Sequence, residues 1–170
     1  MHDDEFEAIR KLMRLKRHET PGEGFTEDFL KDAFNTNVIS GMMLSSLAVP
    51  LLEPTQGAII FIGSVHNRRA FPGASPYATT KAAIEGLTRS LARDLGSLRI
   101  RVNTLIPGWV MTERQMALWL DAEGEAEIQR RQCLKDKVQP ADIARMVLFL
   151  AADDSRMCTA QNFIVDAGWI

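Results

Sequence analysis

The sequence is poor in cysteine, in net charge and in glycine-rich turns, and each shortage removes a class of function. Cys133 and Cys158 are the two cysteines among 170 residues. They stand far apart and in no metal-ligand spacing, so they are expected to be buried or half-buried thiols of a reducing compartment, with no metal bound. A formal net charge of -2 supplies no electrostatic case for nucleic acid or an anionic membrane as a partner. Met1 to Ala8 are acidic and lack the apolar core of a signal peptide. No apolar stretch reads as long enough to span a bilayer, and the expectation is a cytoplasmic protein without a membrane partner. Gly22 and Gly24 follow Pro21 and no predicted strand, so they read as turn residues rather than as a phosphate-cradling fingerprint.

What is present is ordinary globular material, 46% hydrophobic and 25% charged, long enough to bury a core without disulfides or metal. Asp3 to Lys16 reads as a short helix with Phe6, Ile9, Leu12 and Met13 on one face, its basic cluster Lys11, Arg14, Lys16 and Arg17 facing solvent. A stronger helix starts at Thr26 and ends before Pro54. It carries a broad apolar surface of Phe29, Leu30, Ala33, Phe34, Val38, Met42, Leu44 and Leu47. Gly57–Ser64 and Ile100–Ile106 are β-branched apolar runs between breakers, as strands buried on both faces require. Between them, Ser75-Pro76 opens a helix that stops at Gly96. Pro140 opens another helix, Ala141–Ala152, and Asn162–Val165 is a last short strand. This alternation predicts an α/β fold with a partial, doubly wound parallel sheet, in which ligands sit beyond the C-terminal ends of the strands. Ser64 and Pro107-Gly108 both fall there.

Tyr77 and Lys81 are four apart on a predicted helix, so they share one face. A free tyrosine, with a pKa of about 10, is a poor base at neutral pH, and a cation held close favours its phenolate. The pair can therefore take a proton from an alcohol or give one to a carbonyl. Ser64, ending the neighbouring strand, can hydrogen-bond the same substrate oxygen. Asn37, polar amid apolar neighbours in the earlier helix, could hold a water that links Lys81 to solvent. Each piece alone is common; the joint order of Asn37, Ser64, Tyr77, Lys81 and Pro107-Gly108 is not.

That order resembles the short-chain dehydrogenase/reductase family. The matching stretches are Phe34-Asn35-Thr36-Asn37-Val38, Ile62-Gly63-Ser64 and Tyr77-Ala78-Thr79-Thr80-Lys81-Ala82-Ala83, followed by Ile100-Arg101-Val102-Asn103, Pro107-Gly108-Trp109-Val110-Met111-Thr112 and Val165-Asp166-Ala167-Gly168-Trp169. The resemblance implies Tyr77 as the acid/base, Lys81 holding the nicotinamide ribose and lowering the tyrosine pKa, Ser64 orienting substrate and Asn37 completing a proton relay. It implies NAD or NADP as cofactor, with Pro107, Gly108, Val110 and Thr112 along the nicotinamide, and a homo-oligomer in intact family members. The family's opening strand, glycine-rich turn and helix hold the pyrophosphate, and they have no counterpart here. The chain thus reads as a single incomplete Rossmann-like domain, with residues 1–25 atypical, 26–170 the catalytic half, and two or more N-terminal βαβ nucleotide-binding units absent. By itself it is not expected to be a competent dehydrogenase, and one side of its sheet is expected to expose apolar surface.

The segment after Gly108 would form the substrate lid. Charged and amide groups beside indoles there suit a sugar, whose hydroxyls need hydrogen bonds and whose C–H face packs on aromatics; an amphipathic lid helix with its aromatics in the core has the same composition. Thr112-Glu113-Arg114-Gln115, Glu123-Gly124-Glu125-Ala126, Gln132-Cys133-Leu134-Lys135 and Asp166-Ala167-Gly168-Trp169 resemble bacterial aldose 1-dehydrogenases of the D-xylose type, as does Arg17-His18. The implied reaction is oxidation of an aldose at C1 to its lactone, with His66, Trp109, Arg114 and Trp119 as candidate substrate contacts. Two alternatives stand beside it: a 3-oxoacyl-reductase-like member of the family, and a non-catalytic remnant serving as a binding or assembly subunit.

Overall fold

A run of apolar and β-branched residues needs pairing on both edges to be buried, and one strand of this chain obtains it. The computed structural model describes residues 25–69 and 74–170, with the backbone alone at Trp119. The expected helix over Asp3 to Lys16, the Arg17-His18 pair and Gly22 and Gly24 lie outside the described residues. The described elements are α1 (Glu27–Phe34), a π-helical turn (Asn35–Ile39), α2 (Ser40–Leu52), β1 (Ala58–Ile62), α3 (Ser75–Leu95), β2 (Arg101–Pro107), α4 (Glu113–Trp119), α5 (Ala122–Arg131), α6 (Pro140–Ala151) and β3 (Asn162–Val165). The strands form a parallel sheet in the order β1-β2-β3. β2, between the other two, is buried from Arg101 through Ile106.

Strand alternation assigns the helices to faces. Thr104 Oγ1 meets Thr88 Oγ1 of α3 at 2.6 Å, and Phe61, its register partner on β1, lies against Gly41 of α2. α2 and α3 therefore cover one face. Arg101 and Asn103 point the other way. The Arg101 guanidinium donates to Leu150 O at 2.6 Å, Ser155 Oγ at 2.7 Å and the carbonyls of Ala151 and Ala152. It thereby satisfies the orphaned acceptors at the end of α6. α3 buries Pro76, Thr80, Ile84, Thr88 and Ala92, a stripe at four-residue spacing.

Two expectations, on apolar length and on Cys133, are corrected. The apolar surface of α2 is largely outside: Leu47 is 70% and Leu51 76% exposed, while the small residue Ser45 faces inward. Leu148 and Phe149 of α6 and Ile62 at the end of β1 are exposed too, as uncovered sheet and helix surface requires. Asn35–Asn37 and Pro50 interrupt the apolar run in sequence, yet the backbone stays helical through them. Glu27–Thr55 is consequently long and apolar enough, by length and composition, to cross a membrane. Cys133 is an exposed free thiol rather than a buried one, because it lies in the turn beyond α5, where its N–H bonds Ala167 O at 3.0 Å. Cys158 is a half-buried free thiol.

Candidate active site

Beyond the C-terminal end of β1 the chain turns at Ser64 and enters a short 3₁₀ turn, Val65–Asn67. Ser64 is extended and its Oγ accepts from His66 N at 3.3 Å, capping that turn. The same Oγ lies 3.2 Å from His66 Nδ1. From α3, Tyr77 comes to the same place: the His66 ring meets the Tyr77 ring edge-on, centroids 5.5 Å apart. One turn later, Lys81 Nζ donates to Ile62 O at 3.0 Å and lies 5.7 Å from the Tyr77 ring centroid. Asn37 lies on the neighbouring helical segment and makes its direct contact with α3. It sits in the π-helical turn, where Nδ2 donates to Thr80 Oγ1 at 3.2 Å, and Thr80 Oγ1 donates to Tyr77 O at 2.8 Å. The widened turn is what brings a polar side chain out of the apolar helix at this level.

Burial dominates the electrostatics. It raises the Tyr77 pKa above its ordinary value, with the Ser64 hydrogen bond acting in the opposite direction, because a phenolate is harder to desolvate than a phenol. Burial likewise lowers Lys81. His66 is lowered by burial and then by the Arg69 cation. The expectation that Lys81 holds the Tyr77 pKa down is not met in the free chain, where its ammonium is tethered to a backbone carbonyl.

At the end of β2, Gly108 N bonds Val165 O at 2.9 Å, and a Cβ on Gly108 would lie 2.6 Å from Asp166 Cβ. Close approach to β3 is therefore what requires glycine there. Pro107 and Val110 are half-buried and Thr112 is exposed. Thr112 Oγ1 caps α4 by accepting from Gln115 N at 3.2 Å. Trp109 packs against the cluster of Met111, Ile128 and Trp169, and its Nε1 donates to Gln115 Oε1 at 3.0 Å. Arg69 stacks over Trp169, 4.8 Å from the ring centroid. Arg114 is half-buried on α4, and the side chain of Trp119 lies outside the described residues. Of the four candidate substrate contacts, the structure brings His66 to Ser64 and Tyr77, and gives Trp109 to the core. Thr80 and the Ile62 carbonyl were hidden in the sequence; the signal for Thr80 was a hydroxyl on the buried stripe, three residues after Tyr77.

Comparison with known proteins agrees on one family. A family model described as enoyl-(acyl carrier protein) reductase matches residues 13–170. D-xylose 1-dehydrogenase of Caulobacter vibrioides is 47% identical over 145 residues, 85% of this chain and 58% of its own length. A probable galactose dehydrogenase of Rhizobium meliloti is 38% identical, over 86% of this chain and 57% of its own length. Among solved structures, a 4-hydroxyisoleucine dehydrogenase mutant complexed with NADH and succinate matches with TM-score 0.80 and 29% identity, over 88% of this chain and 63% of that one. A gluconate 5-dehydrogenase of Burkholderia cenocepacia in complex with NADP and tartrate gives TM-score 0.80 at 28% identity, over 88% of this chain and 59% of that one. The chain thus spans less than two thirds of the length of these relatives.

Proposed function

Because the chain belongs to the short-chain dehydrogenase/reductase family, we propose that it carries the catalytic residues of an NAD(P)-dependent oxidoreductase that oxidises an aldose at C1 to the lactone. The observation that carries this reading is the meeting of Ser64, Tyr77 and Lys81 beyond the end of β1. Names of relatives support the substrate class: a D-xylose and a probable galactose dehydrogenase. The donor set fits a nicotinamide ribose. Lys81 is half-buried and its ammonium donates to one backbone carbonyl, Ile62 O, which leaves N–H groups for a diol. Pro107, Gly108, Val110 and Thr112 would flank the ring, the Thr112 hydroxyl keeping its own proton to donate. When bound, the nicotinamide takes the hydride that leaves C1.

The chain's own residues handle the proton. Ser64 orients the sugar hydroxyl beside the Tyr77 oxygen. In the oxidising direction Tyr77, as phenolate, accepts the O1 proton while the C1–O bond gains its second bond; in the reverse direction the neutral phenol donates it. The raised pKa leaves the phenol protonated in the free chain, so the phenolate needs the positive charge that Lys81 and the oxidised ring bring together. Thr80 and Asn37 hold the main-chain carbonyl of Tyr77 through successive hydrogen bonds, and His66, whose Nδ1 lies beside Ser64 Oγ, is a contact for a sugar hydroxyl. In the same reading the exposed apolar side of α2 is covered in a homo-oligomer.

A second reading, reduction of the keto group of a 3-oxoacyl thioester, is favoured by the description of the matching family model and by a putative β-ketoacyl carrier-protein reductase with TM-score 0.74 and 30% identity. A panel of aldoses against acetoacetyl thioesters separates the two, followed by nicotinamide absorbance on this chain joined to a relative's N-terminal half. Turnover of aldoses supports the proposal; turnover of thioesters alone replaces it.

A further inference from the structure

On α3, Tyr77, Lys81 and Glu85 follow one another at four-residue spacing, so Glu85 continues by one turn the stripe that carries the site. Building on the reading of Ser64 and Tyr77 above, we infer that Glu85 is a positioning residue that holds the turn bearing His66 against Ser64 and Tyr77. Its carboxylate, with the side chain 13% exposed, collects four N–H donors. Asn67 Nδ2 and Asn162 Nδ2 each donate one, and Arg68 donates from Nε at 3.3 Å and Nη2 at 2.7 Å. Asn67 closes the 3₁₀ turn that begins one residue after Ser64, and Arg68 is its C-cap. Asn162 opens β3. One carboxylate thereby ties the turn, the helix and the third strand together.

Stability alone does not select this arrangement. Each amide turns its nitrogen to the carboxylate, and both amide oxygens, Asn67 Oδ1 and Asn162 Oδ1, are buried without a hydrogen-bond partner among the described residues. Buried acceptors left without donors are destabilising and rare. What the carboxylate secures in return is the position of His66, whose N and Nδ1 both lie on Ser64 Oγ and whose ring abuts Tyr77. Among the described residues, Arg69 from its own turn and Tyr77 from α3 face His66. A turn released from Glu85 returns the imidazole to water, and His66 then loses the burial that disfavours its charged form.

The test is an NMR pH titration of the imidazoles of the full chain, which has three histidines, with His66 assigned by His66→Gln. Asn67→Ala and Asn162→Ala each delete one amide bond to Glu85 and leave every charge in place, so they differ in which element they free. Asn67→Ala moves the His66 midpoint back towards the ordinary 6.5. Asn162→Ala leaves it as in the wild type, even where its melting temperature falls as far. If Asn67→Ala does not fold, Asn67→Ser, whose hydroxyl is too short to replace the amide, gives the same shift. A His66 midpoint unmoved by the change at Asn67, or moved equally by the change at Asn162, overturns the inference. The titration reads the turn whether or not an aldose is oxidised, so failure of either claim is visible without the other.

Discussion

Tyr77 is the only tyrosine in the chain, so the ultraviolet phenolate band that grows on alkaline titration reports this one residue. Burial holds its phenol protonated beyond the ordinary 10.0, with the Ser64 hydrogen bond pulling the other way. The wild-type midpoint is therefore expected above 10.0. Ser64→Ala removes a hydrogen bond to the charged form, a contact worth about 1.5–3 kcal/mol. Tyr77 is half-buried, which places the effect at the lower end. The ionisation constant then falls about tenfold, and the midpoint moves further up. Linkage gives a second readout. A folded-state pKa raised above the unfolded one contributes stability below pH 10 that is lost as pH rises through the folded value, so alkaline unfolding tracks the phenolate band. A wild-type midpoint at or below 10.0, or no response to Ser64→Ala, would refute the account of burial and contact at this site.

The remaining expectations are simpler. The His66 pKa is depressed by burial and by Arg69, so its contribution to stability is present above pH 6.5 and is lost as pH falls below that value. In melting experiments His66→Gln therefore loses less stability than the wild type between neutral and mildly acidic pH, and equal losses would contradict this. Gly108→Ala places a Cβ 2.6 Å from Asp166 Cβ and 2.7 Å from Asp166 Cα, atoms that cannot swing away. Overpacking of about 1–3 kcal/mol lowers the melting temperature by several degrees, and an unchanged melt would show that β3 yields freely.

The sequence announced the parts of this site that depend on local spacing. Four residues between Tyr77 and Lys81 fix a shared helix face in any fold. Ser64 follows an apolar run whose end the glycine at Gly63 marks. Pro76, near the start of α3, and Gly96, beyond its end, bound that helix as they do in the structure. What stayed hidden depends on which element lies beside which. Gly108 reads as a cofactor-flanking residue, but its immediate reason is the backbone of Asp166, fifty-eight positions later. Trp109 has the composition of a sugar contact, yet it packs on Met111, Ile128 and Trp169. Asn37 implies a polar relay; that it reaches Tyr77 through Thr80, from a widened helical turn, follows from helix packing alone. The direction of the Tyr77 shift was missed because spacing reveals the neighbouring cation and says nothing about the loss of water.

The most direct test of the central claim is aldose-dependent reduction of NAD or NADP by this chain joined to a relative's N-terminal half, compared with its Tyr77→Phe counterpart and with the 170-residue chain by itself. Removing a general acid/base costs about 10²–10⁴ in rate. The account predicts turnover by the joined protein, loss of that order in Tyr77→Phe with NADH affinity retained, and little or no turnover by the chain by itself. Full activity in Tyr77→Phe would contradict it.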